Sequence, residues 1–307
     1  MHSLRRLLAT LLFISLIAAS CSDDTDASDT ADDDTSAEDT VAEDDTAVDD
    51  TAETEVEPVA TASSCDEIAA LFVTKGSANA DLADPEVSAS CEGDTLVVIS
   101  NGIPDYTYIE TSPGSPNAVD LSYSIPATPT VADETTDVPA LGSAAVAING
   151  VPIYGPTEAQ GADVGSLAEG VSECGSHNGP TGFHMHLFGT STTTDCMYTA
   201  EEVAAAPQLI GYAFDGYPIY TGNDQYTSSW ELTDESLFAS DTWSAHSFIE
   251  GSGDLDECNG LTDTAGNYAY YTTNSFPYVL GCYTGVVDLD GAGGGLGELG
   301  GPPPDDE

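Results

Sequence analysis

Apolar and polar residues alternate in short runs along most of this chain, and Gly, Pro and Asn punctuate the runs. Residues 95–100, 119–125, 144–149, 183–188, 211–214, 268–273 and 278–283 are such β-prone runs. Successive side chains of a strand face opposite ways, so each run can turn one face to a core. Many short strands between turn residues predict a mainly β fold, an antiparallel sandwich or barrel-like domain rather than an α/β one. Helix signals are few. Ser64-Cys-Asp-Glu67 and Thr199-Ala-Glu-Glu202 both fit a capping box, the first ahead of Ile68, Leu71 and Phe72. Residues 222–253 show no clear period and read as an insertion. The folded part is expected over residues 63–288, long enough for a sizeable core.

The two ends read differently. Arg5 and Arg6 precede a short apolar core at 7–19, the pattern of a secretory leader over residues 1–20. The core is too short to span a bilayer comfortably. It closes on Ala18-Ala19-Ser20 before Cys21, and small residues there resemble the lipobox of bacterial lipoproteins. That resemblance implies lipidation of Cys21 and a tether to a membrane surface. Residues 21–62 are mostly Asp, Glu, Thr, Ala and Ser, with no Lys, Arg or aromatic residue, and are expected to be a disordered acidic stalk. At full stretch it would reach roughly 130 Å. Residues 289–307, rich in Gly and Pro, are expected to be a flexible tail.

Charge narrows the partners. Without the leader the chain keeps one basic residue, Lys75, against 54 acidic ones, a formal charge of 1 − 54 = −53. Such a field repels nucleic acid and anionic membrane surfaces and concentrates divalent cations.

An internal repeat organises the rest. Asn149-Gly-Val-Pro-Ile-Tyr-Gly155 reappears as Asp215-Gly-Tyr-Pro-Ile-Tyr-Thr221, and Ser172-Glu-Cys174 as Asp256-Glu-Cys258. Gly182-Phe-His-Met-His186 is matched by Gly266-Asn-Tyr-Ala-Tyr-Tyr271 with one residue inserted, and Cys196 by Cys282. The units run over about 145–198 and 211–284. Cys65, Cys91, Cys174, Cys196, Cys258 and Cys282 are an even set in an exported chain, which predicts disulfides. Units that fold alike pair Cys174 with Cys196 and Cys258 with Cys282, leaving Cys65 for Cys91.

The sharpest chemical signal is the histidine distribution. Three of the five histidines, His177, His184 and His186, fall within ten residues. On a strand His184 and His186 share a face, and His177 is expected to reach them from the preceding loop. Imidazole is the commonest metal side-chain ligand, and three can hold a divalent ion such as copper or zinc. Matching positions in the second unit are Leu261, Ala269 and Tyr271, so all three imidazoles are missing together. A shared ligand site explains that joint absence better than local packing does. The site is expected to be exposed, so that losing one ring costs little packing. His246, inside the insertion, reads as a surface histidine or a fourth ligand. Asp254-Leu-Asp256-Glu and Asp288-Leu-Asp290-Gly lack the twelve-residue calcium pattern and read as solvated turns.

Asn101-Gly-Ile-Pro-Asp105, the two Pro-Ile-Tyr turns, Leu255-Asp-Glu-Cys-Asn-Gly260 and Phe276-Pro-Tyr-Val-Leu-Gly-Cys-Tyr283 together resemble the YHYH-domain proteins over about residues 95–285. The resemblance implies an exported bacterial protein and supports the domain limits. It implies no particular chemistry. The Tyr-His-Tyr-His signature is split here: Phe183-His-Met-His186 keeps the histidines, Tyr268-Ala-Tyr-Tyr271 the tyrosines, and Tyr106 stands where the family often has histidine.

Three functions follow from these residues. The first is a membrane-tethered metal-binding lipoprotein. The second is a metal-dependent envelope enzyme in which Glu173 or a nearby Tyr assists an ion-bound water. The third is a structural or adhesive ectodomain indifferent to metal. Binding is favoured over catalysis because no general base stands at motif spacing.

Overall fold

A computed structural model describes residues 63–290, apart from 113, 168 and 169. The leader, Cys21, the acidic segment and the tail from 291 lie outside the described residues. Helix α1 (Cys65–Ala69) starts where the sequence places it. Ser64 Oγ accepts from Glu67 N at 3.3 Å while Glu67 Oε2 accepts from Ser64 N at 2.7 Å, closing the capping box. Strands β1 (Val87–Glu92), β2 (Thr95–Ser100) and β3 (Leu121–Pro126) form a three-stranded antiparallel sheet. Alternation is clean in β3: Leu121, Tyr123 and Ile125 are buried and Ser122 and Ser124 exposed.

The chain continues through β4 (Val131–Asp137), β5 (Ser143–Ala147), β6 (Pro152–Tyr154), β7 (Ser176–Gly179) and β8 (Gly182–Met185). After α2 (Ala200–Ala205), capped by Thr199 and Glu202, come β9 (Leu209–Ala213) and β10 (Pro218–Tyr220). The insertion is folded, contrary to its aperiodic pattern: β11 (Trp230–Leu232), α3 (Thr242–Ala245) and β12 (His246–Phe248) form a hairpin-like unit. Its order comes from aromatic packing, with Trp230 and Trp243 both edge-on to Phe276 at 5.3 and 4.9 Å. The last strands are β13 (Gly260–Thr262), β14 (Tyr268–Tyr271) and β15 (Cys282–Gly285), the last paired with β4.

The duplication is written into the eight-stranded sheet, ordered β13-β14-β10-β9-β5-β6-β8-β7. Each half is a hairpin, a parallel rung to the fourth strand and a second hairpin, and the halves meet through the antiparallel pair β5–β9. The two parallel rungs, β6–β8 and β10–β14, depart from a purely antiparallel arrangement. Both halves turn on the same device: Gly150 and Gly216 adopt φ of 87° and 93°, which glycine reaches at little cost. Asn149 Oδ1 and Asp215 Oδ1 accept from the amides of Val151 and Tyr217. Asp215 Oδ2 also accepts from the Tyr270 hydroxyl at 2.5 Å and Gly285 N at 2.9 Å. Burial outweighs these donors and pushes the Asp215 carboxyl above its usual range.

The central strands are small and apolar because both faces are covered, and a side chain on Gly211 would collide with the Val146 carbonyl of β5. Ile153, Ile210 and Ile219 are essentially excluded from solvent, each burial stabilising the fold by roughly 1.5–3 kcal/mol. The three bridges are Cys65–Cys91, Cys174–Cys196 and Cys258–Cys282, with Cα atoms 6.0, 5.3 and 4.4 Å apart. Lys75 is engaged on two sides. Its ammonium donates to the Met197 carbonyl at 2.5 Å and lies 5.1 Å from the Tyr198 ring centroid. Its backbone amide donates to Asp105.

Candidate metal centre

The register of the sheet fixes which residues of the halves correspond. Ile153 pairs with Met185 as Ile219 pairs with Tyr270, and Ser176 pairs with Met185 as Gly260 pairs with Tyr270. His177, His184 and His186 therefore occupy the places of Leu261, Ala269 and Tyr271.

His177 is not on a loop. It lies on β7, directly opposite His184 on β8, because Ser176–Gly179 pairs antiparallel with Gly182–Met185. β8 ends at Met185, short of the expected run to 188, and His186 follows immediately. The Gly175 carbonyl accepts from the amides of both His186 and Leu187, which turns the chain there. Gly175 has φ 85°, and a Cβ on it would lie 2.1 Å from the Leu187 oxygen. The rings are buried rather than exposed: His177, His184 and His186 are 7, 5 and 1 % accessible. Tyr154 stacks on His184 at 3.9 Å and meets His186 edge-on.

Each imidazole is oriented from behind. Nδ1 of His177, His184 and His186 lies 3.1, 2.9 and 2.6 Å from the carbonyls of Gly170, Gly182 and Gly155. A carbonyl can only accept, so each Nδ1 carries the proton, and in the neutral ring each Nε2 presents a lone pair. The Nε2 atoms converge. That of His177 is 2.9 Å from that of His184.

A fourth group joins them. Glu158 Oε1 lies 2.9 Å from His177 Nε2 and 3.0 Å from His186 Nε2. The four ligand-type atoms all lie within 4.8 Å of one another. Neither Glu158 Oε1 nor His186 Nε2 has a hydrogen-bond partner despite that proximity. Acceptors facing one another need a positive charge between them, supplied by extra protons on the rings or by a cation. Burial, then the charges of His186 and His177, depress His184 to about 3, so that ring is neutral at ordinary pH. Burial raises Glu158, but His177 and His186, when they carry the extra protons, outweigh it and hold the carboxyl well below its usual range. Three backed imidazoles and a carboxylate oxygen are a donor set for a borderline divalent ion.

The other candidates fall elsewhere. His246 is buried, not on the surface; it stacks on Phe276 at 4.0 Å, and its Nδ1 donates to the Thr242 carbonyl. Glu173 is exposed and receives the Thr193 hydroxyl. Asp256 is a turn residue, accepting from the amides of Cys258 and Gly260 and from the Tyr268 hydroxyl. Glu257 lies near Cys258 and Cys282, whose sulfurs are bonded to each other. Sequence reasoning missed Glu158. It stands four residues after Tyr154, where the second unit has Asp224, so the comparison that exposes the histidines is silent here.

Fold and cluster together define a disulfide-bridged, β-rich domain with a centre of three buried histidines and one half-buried glutamate on one half of a duplicated sheet. The chain belongs to the YHYH protein family, whose model matches residues 122–285. No curated protein and no solved structure matches the chain. Family and disulfides are consistent with an extracytoplasmic protein.

Proposed function

We propose that this chain is a membrane-tethered lipoprotein of the bacterial envelope that binds a transition-metal ion, copper or zinc, through His177, His184 and His186. The observation that supports it is the convergence of three Nε2 atoms whose Nδ1 partners are all backbone carbonyls. That tautomer is the one metal-ligating imidazoles adopt. Cys21 carries the lipid, on the strength of the small residues before it. The acidic segment raises the local concentration of cations. Burial of the three rings favours holding an ion over turning over a substrate, which sets the binding reading above a metal-dependent enzyme. An adhesive ectodomain gives no reason for four mutually facing acceptors.

Elemental analysis of protein purified from its own envelope, with calorimetric titration of zinc and copper, tests the proposal. Stoichiometric metal, lost on His184→Ala, is expected. Affinity no tighter than that of a generic acidic surface defeats it. Mass spectrometry of the mature N-terminus tests the anchor separately, and an unmodified Cys21 removes it.

A further inference from the structure

We propose that Glu158 is the fourth ligand of a closed tetrahedral site suited to zinc(II), and that the insertion and the segment before β15 hold this ligand in place. This rests on the metal-binding reading above.

The donor atoms already have the needed compactness. Zinc at about 2.0–2.2 Å from each of four ligands sets neighbouring ligand atoms about 3.3 Å apart. Glu158 Oε1 and the three Nε2 atoms span contacts from 2.9 Å upward, with none beyond 4.8 Å. The rings meet at 69–77°, so they surround a point instead of lying in one plane. That arrangement suits an ion without a planar preference, whereas copper(II) favours tetragonal sites. One carboxylate is too few oxygens for calcium. The six cysteines of the domain are spent in disulfides, so no thiolate selects a softer ion. With four protein ligands there is no open position for a reactive water, which separates a holding site from a hydrolytic one.

Glu158 is carried on a tight loop. Its amide donates to the Ala162 carbonyl at 2.8 Å, Gly161 N donates back to Glu158 O at 3.0 Å, and Thr157 bridges Asp163. Gln160 and Gly161 both take positive φ, 67° and 84°, a conformation costly for the non-glycine residue. The braces for this loop come from the insertion and from the segment before β15. The Trp243 indole donates to Thr157 Oγ1 at 3.1 Å, and Asp163 N donates to the Phe238 carbonyl at 2.9 Å. Asp163, fully buried, accepts from the Thr242 hydroxyl at 2.5 Å and the Tyr278 hydroxyl at 2.6 Å. Gly161 abuts the Ser240 carbonyl so closely that a Cβ would lie 2.6 Å from it. The insertion and the segment before β15 are thus the clamp for the carboxylate.

The test uses the full mature chain and two probes, zinc by calorimetry and cobalt(II) by visible absorption. Wild type, Glu158→Gln and Thr242→Val are compared. Wild type should give the intense bands of four-coordinate cobalt. Glu158→Gln should bind zinc at least 10-fold more weakly, and its cobalt bands should drop in intensity and respond to added azide as a position opens. Thr242→Val should weaken zinc binding several-fold while the bands keep their four-coordinate form. Absence of zinc binding in wild type defeats the metal reading itself. Equal affinity and identical spectra for wild type and Glu158→Gln defeat this inference alone. Unchanged affinity in Thr242→Val overturns the clamp.

Discussion

His184→Ala separates what the ring does for packing from what it does for an ion. His184 is 5 % accessible, stacks on Tyr154 at 3.9 Å and donates Nδ1–H to Gly182 O at 2.9 Å. Losing the stacked pair costs about 0.5–1.5 kcal/mol, and losing the hydrogen bond about as much again. The cavity adds to this. Removing one of several facing acceptors gives part of it back. Metal-free protein should therefore lose about 2–3 kcal/mol, worth roughly 4–12 °C in Tm for a domain of this size. That reverses the sequence-based expectation of an exposed and inexpensive site. Zinc at one hundred times Kd should add about 2.7 kcal/mol to wild type, roughly 5–11 °C, and nothing to the variant. Scanning calorimetry with chelator and then with zinc reads both quantities. An equal zinc shift in wild type and variant would falsify the ligand role, and an unchanged metal-free Tm would refute the packing argument.

Other substitutions probe the frame of the site. Ala269→His should create no second centre by zinc titration, because Leu261 and Tyr271 still lack imidazoles at the paired positions. Replacing Cys258 and Cys282 by serine should cost about 3 kcal/mol in denaturant titration, from loop closure in the unfolded chain. Gly175→Ala should destabilise the fold and abolish zinc binding, since the added Cβ meets the Leu187 carbonyl and displaces His186. For Asp215 the folded carboxyl binds its proton more tightly than the unfolded one, whose pKa is about 3.9. Its contribution is therefore full below that value and lost as pH rises through the raised folded pKa. The stability of wild type relative to Asp215→Asn should fall over that window, and a flat or rising difference refutes the assignment.

Features set by adjacent residues were legible in the sequence. Both capping boxes form, because the interaction is local to four residues. The repeat was legible because the Pro-Ile-Tyr turns mark the same register in each half, and so the joint absence of histidine at 261, 269 and 271 was meaningful. What depends on distant chain was not legible. Glu158 enters the cluster through braces from Phe238, Thr242 and Trp243, which no local pattern announces. The apolar run 278–283 looked like one strand, but Tyr278 takes φ 65° and its amide donates to Ser275 O, so strand β15 begins only at Cys282. The parallel rung β6–β8 joins segments separated by a long connection, so alternation within each strand says nothing about direction.

Lys75 is the single basic residue beyond Arg6, so a protease specific for lysine and arginine finds one bond to cut, Lys75–Gly76. The side chain it must capture is already held by the Met197 carbonyl and the Tyr198 ring. The bond also lies inside the loop closed by Cys65–Cys91. A cut there leaves the two pieces covalently joined, and the break shows on a gel only after reduction.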